Sequence, residues 1–155
     1  MNKSNLIEAV KKQNIIEIKQ IVEEHPEQTN QSDERGFTPL LYASYMGNKT
    51  IVDLLLQYKP DINARDAAGN TALMGVSFKG NLEMAQLLLE NGADVNLRNN
   101  NGATALIYAV SFKQKDMVKL LLDQGASISV KDQDDLTALD HAQKLGLKEI
   151  ESLLR

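Results

Sequence analysis

An all-α solenoid, built by stacking one helix-turn-helix unit on the next, is the fold this 155-residue sequence predicts. Three observations predict it. The chain meets itself when shifted by 33 residues, with Gly36, Gly69 and Gly102 in register and Asp135 in fourth place. Thr38, Thr71, Thr104 and Thr137 keep the same period, each trailed by Leu40, Leu73, Leu106 and Leu139. The pairs Leu54-Leu55, Leu87-Leu88, Leu120-Leu121 and Leu153-Leu154 close the pattern. A short unit of this size cannot bury an apolar face alone, so a fixed period implies neighbours that cover one another.

The elements follow in order as one domain over residues 1–155. Residues 1–32 read as an N-terminal cap. Leu6, Ile7 and Val10, then Ile15, Ile18, Ile21 and Val22, recur at helical spacing, and Asn5 with Glu8 offers capping acceptors. Charged side chains fill the other faces, and His25-Pro26 ends the second helix. In residues 33–65, Gly36 marks a turn, Thr38 a helix start and Pro39 the first helical position, where a missing N–H costs nothing. The helix stops at Gly47-Asn48, and a second carries Ile51, Val52, Leu54, Leu55 and Leu56. Lys59-Pro60 replaces the Gly-Ala of Gly92-Ala93 and Gly125-Ala126, which predicts a different helix exit. Residues 66–98 and 99–131 repeat the plan most cleanly. Residues 132–155 end on a polar second helix, with Glu151 where Val52, Ala85 and Val118 stand, and read as a C-terminal cap.

Composition removes several classes of function. A net charge of -4 gives no reason to expect nucleic acid or an anionic membrane surface. The absence of cysteine excludes disulfides, thiolate metal sites and cysteine nucleophiles, and fits a reducing compartment. The first residues hold no apolar core of a secretory signal, and no apolar run approaches the roughly 18 residues of a spanning helix. The expectation is a soluble, cytoplasmic monomer.

These residues resemble the ankyrin repeat. The family opens its first helix with Thr-Pro-Leu-His, and here stand Thr38-Pro39-Leu40-Leu41, Thr71-Ala72-Leu73-Met74, Thr104-Ala105-Leu106-Ile107 and Thr137-Ala138-Leu139-Asp140. Gly92-Ala93-Asp94-Val95-Asn96 is similar to the family's loop consensus. The signature histidine is absent from all four, and proline is kept once. The resemblance implies an ankyrin-repeat solenoid whose units are joined by β-turn or hairpin loops. It also implies that hairpin tips and first helices line a concave face that binds proteins.

On that map the aromatic side chains are informative. Phe37 follows a turn glycine, Tyr45 and Phe78 each precede a glycine by two residues, and Phe112 lies just before Lys113, the counterpart of Gly80. All three phenylalanines therefore fall where the resemblance implies exposure. Tyr45, Phe78 and Phe112 form an expected apolar strip across three units, of the residue types that dominate binding hot spots. Met46 lies beside the strip, and Arg35, Asn70, Lys79, Asn100, Asn101 and Lys144 form its polar surround. The acidic run Asp132-Gln133-Asp134-Asp135 reads as a solvated turn before it reads as a steering patch.

Catalysis, cofactor and metal find no support. His25 and His141 lie in the first and last units, and no phosphate loop, paired-histidine motif or nucleophile elbow occurs. His141 reads as a satisfied side chain before it reads as a ligand. The function expected is non-catalytic recognition of a protein partner. An inhibitor or immunity-type protein that blocks an enzyme, and a self-associating structural module, are the alternatives.

Overall fold

The computed structural model describes residues 5–155. The first four residues of the first predicted unit, which also open the segment read for an export signal, lie outside them. Among the described residues the chain forms α1 (Leu6–Lys11), α2 (Ile15–Glu24), a 3-10 turn (Pro26–Asn30), α3 (Pro39–Met46), α4 (Lys49–Leu56) and α5 (Ala72–Lys79). It continues through α6 (Leu82–Glu90), α7 (Ala105–Ser111), α8 (Lys115–Asp123), α9 (Ala138–Lys144) and α10 (Lys148–Leu153), with no strand. None of these helices is long and apolar enough to cross a membrane.

The fold is all-α. Odd-numbered helices pack in one row, α1 on α3, α3 on α5, α5 on α7 and α7 on α9. Behind them α2 meets α4, α6 meets α8, and α8 meets α10. The core is continuous along the stack, from Leu6 to Leu154. Leu55, Leu88 and Leu121, one period apart, are each no more than 1% exposed. Burying a leucine contributes roughly 1.5–3 kcal/mol, so each layer is held mainly by what its neighbours cover.

Local chemistry sets the helix ends. The hydroxyls of Thr38, Thr71, Thr104 and Thr137 accept from the N–H of Leu41, Met74, Ile107 and Asp140 at 3.1–3.3 Å. Asp140 returns the bond by accepting from Thr137 N–H at 2.9 Å. Asn14, Asn48 and Asn81 cap α2, α4 and α6 in the same way, a second periodic signal that the threonines overshadow in the sequence. The series then lapses: Gln114 and Leu147 precede α8 and α10 without a side-chain cap.

One expectation is met in part and another needs correction. Lys59-Pro60 keeps the hand of the turn, with Lys59 at φ +50 where Gly92 and Gly125 have +96 and +90. What differs is one hydrogen bond. Ala93 and Ala126 N–H reach the carbonyls of Leu88 and Leu121 at 3.0 and 2.9 Å, and Pro60 has no N–H to donate. Glu151, read as part of a polar outer face, is buried. It stands 3.5 Å from Lys148 and 3.7 Å from Arg155, and its Oε2 accepts no hydrogen bond.

Candidate recognition groove

Four turns lie beside the first helices, and each is folded by one Asx side chain. Asp33, Asp66, Asn99 and Asp132 accept through Oδ1 from the N–H groups two and four residues on, at 2.9–3.1 Å. That satisfies donors that a tight turn would otherwise strand. Successive tips are then joined backbone to backbone, Ala67 N–H to Arg35 O at 2.9 Å, Asn100 to Ala68 at 3.0 Å and Gln133 to Asn101 at 2.8 Å. The tips form one rail beside the first helices.

The other end of each Asx side chain faces the first helix of its own unit, nine residues on. There the sequence reads Tyr42, Gly75, Tyr108 and His141. Tyr42 donates its hydroxyl hydrogen to Asp33 Oδ2. Tyr108 accepts from Asn99 Nδ2 at 3.0 Å and donates to Asn70 Oδ1 at 3.2 Å. His141 Nε2 lies 2.6 Å from Asp132 Oδ2. Gly75 has no side chain to offer, and Asp66 Oδ2 is left without a partner among the described residues.

That omission opens a groove of about 530 Å³. Its lining is mostly apolar and aromatic: Phe37, Tyr42, Tyr45, Phe78 and Tyr108, with Leu41, Met46 and Met74, and Arg35 beside them. Asp66 and Asn70 supply the polar groups. Mostly apolar walls with a few convergent polar atoms are what a recognition pocket requires.

Electrostatics follow the same contacts. The Tyr42 hydroxyl holds the Asp33 carboxyl below its ordinary range, against a weaker opposing effect of burial. Arg35 is raised, chiefly by Tyr42, and its guanidinium lies 5.1 Å from the centroid of Phe37. Burial pushes Asp132 up, but the His141 hydrogen bond and the N–H groups of Leu136 and Asp134 outweigh it, so Asp132 also ends low.

Of the side chains picked out in the sequence, Arg35, Phe37, Tyr45, Met46, Asn70 and Phe78 line this groove, and Lys79, Asn101, Phe112 and Lys144 do not. Lys79 is tied to its neighbour: Nζ donates to Tyr45 O at 2.6 Å and lies 4.3 Å from the Tyr45 ring. Phe112 backs the wall, edge-on to Phe78 with centroids 4.3 Å apart, and is 48% exposed. Asn101 holds the tip rail through its carbonyl. Lys144 ends α9, away from the lining.

The rings of the expected apolar strip differ in exposure. Tyr45 and Phe112 are about half exposed, whereas Phe37 and Phe78 are half-buried, because Phe37 packs on Tyr42 and Phe78 on Phe112. Asp132 is consumed by its turn and by His141, and Asp135 lies 3.6 Å from Lys131, so the acidic run is mostly turn chemistry. Sequence reasoning missed Tyr42, Asp66, Gly75 and Tyr108. Aligning the units one under another at the Tyr42 position would have found them.

Comparison with known proteins agrees with this architecture. The family profile described as "Ankyrin repeats (3 copies)" matches residues 2–66 and 73–155, and one described as "Ankyrin repeats (many copies)" matches residues 48–89. No curated protein matches the chain.

Proposed function

The chain belongs to the ankyrin repeat family, whose members are generally protein-interaction modules, and from that premise we propose that it binds a protein partner through the tips and first helices. The observation that carries this reading is the groove of about 530 Å³, walled by aromatic rings on rigid helices. Aromatic anchors bury much area, and rings already held in place by neighbours lose little entropy on docking. An interface of standard size, about 800 Å² per partner, fits a face spanning three or four units. Binding, with no chemistry on the partner, is the activity proposed.

The test is affinity capture from source-cell lysate with wild type and a Tyr45→Ala, Phe78→Ala, Phe112→Ala variant, each shown to be folded by circular dichroism. A protein held by wild type is then purified and titrated against both by calorimetry. Loss of at least about tenfold in affinity in the folded variant supports the reading, since anchors of this type each contribute 1 kcal/mol or more. Equal affinity overturns it.

A further inference from the structure

Gly75 is the one place among the four aligned first helices where a side chain is missing from the Asx pair. The backbone does not ask for glycine there. Gly75 lies inside α5 without a positive φ, and an added Cβ would stand 3.4 Å from Tyr45 Cδ2, an ordinary contact. Glycine within a helix costs stability relative to alanine. What it leaves is volume, together with two polar groups that no side chain among the described residues engages. Asp66 Oδ2 and Asn70 Nδ2 have no hydrogen-bond partner among the described residues, whereas Asn70 Oδ1 accepts from Asn99 and Tyr108.

We propose that the space above Gly75 is a socket for one tyrosine side chain of the bound protein, its hydroxyl donating to Asp66 Oδ2 and accepting from Asn70 Nδ2. The inference rests on the recognition reading above and names the side chain that the groove selects. Its first support is internal. Tyr42 and Tyr108 fill the equivalent space in the flanking units, and Tyr108 uses its hydroxyl as both donor and acceptor. The second is charge. The carboxylate of Asp66 is accompanied on the groove by the guanidinium of Arg35, so a cationic guest would meet a like charge and an anionic one the carboxylate. A neutral aromatic ring with one hydroxyl satisfies both.

The probe is 4-methylphenol, the tyrosine side chain itself, titrated into the 15N-labelled protein and followed by amide shifts. Toluene and n-butylguanidinium serve as the hydroxyl-free and cationic comparisons. The expected result is saturable shifts centred on residues 66–78, with 4-methylphenol about tenfold tighter than toluene because a hydrogen bond to a charged group is at stake. Gly75→Tyr should plug the socket from within, abolish those shifts and raise the melting temperature. Should that variant fail to fold, Gly75→Leu narrows the same space with a good helix former and must also weaken binding. Shifts that persist in the folded variant, no saturation in wild type, or a guanidinium that binds as tightly as the phenol each overturn the proposal. A partner that Gly75→Tyr retains and the Tyr45, Phe78, Phe112 variant loses overturns the socket and leaves the recognition face standing.

Discussion

The unit at residues 66–98 and the one at 132–155 start from the same turn and end differently. In the first, Asp66 folds the tip, Gly69 reverses the chain, Asn81 caps the second helix and Ala85 fills the core behind it. Its one omission is Gly75, at the mouth of the groove. In the last unit the pair at the mouth is complete, His141 with Asp132, while the supports behind it weaken. Asp135 replaces the turn glycine, Leu147 gives α10 no cap, and Glu151 takes the place of an apolar core residue. Departures from the repeat therefore fall into two kinds. One leaves a space on the groove; the others weaken the supports of a unit that packs on one neighbouring layer among the described residues.

The largest test of that contrast is in the core. Leu88 and Leu154 hold the same place in their units, at 0% and 3% exposure. Leu88→Ala should cost about 2–5 kcal/mol, since the cavity lies in a layer covered from both sides. Leu154→Ala should cost less than half as much, because among the described residues its layer is covered from one side only and can relax around the cavity. Urea unfolding of both variants decides it. Equal losses would mean that the last layer is as cooperative as the middle one, and the gradient would be abandoned.

Glycine at the turn sharpens the comparison at the tips. Gly69 has φ +82, and a Cβ there would stand 2.8 Å from Asn100 N, on the next tip of the rail. Asp135 has φ +62 and no further tip stacked on it among the described residues. Gly69→Asp should therefore cost about 2–4 kcal/mol, from a left-handed side chain and a clash together. Asp135→Gly should gain no more than about 1 kcal/mol, which thermal melting can resolve. A loss from Gly69→Asp as small as the gain from Asp135→Gly would show that the rail yields.

Period, caps and core were legible in the sequence because each is a residue that is present, repeated at 33. Tyr45 and Phe78 were legible as binding candidates for the same reason. The groove was not, because its cause is a missing side chain, and Gly75 in a helix looks like a weak helix former unless it is set beside Tyr42 and Tyr108. The half-burial of Phe37 and Phe78 was also out of reach. It depends on rings in contact, Phe37 with Tyr42 and Phe78 with Phe112, and those contacts are made by tertiary packing.

The smallest effect separates the filled mouth of the last unit from the open one. Asp132 carries a carboxyl held below its ordinary range, with His141 on Oδ2 and Leu136 and Asp134 N–H on Oδ1. A carboxyl whose pKa is lower in the folded chain binds its proton less tightly there than in the unfolded chain. Its stabilisation is complete above the unfolded value, about 3.9, and is lost as pH falls through the folded value. The loss therefore belongs below about pH 4. Asp132→Asn keeps an Oδ1 acceptor for the turn, as Asn99 does, and removes the titration. The melting temperature of wild type should fall more steeply than that of the variant below pH 4. Parallel curves below pH 4 would mean that the lowered carboxyl of Asp132 contributes no stability that acid removes, and the contrast with the open place at Gly75 would lose its electrostatic part.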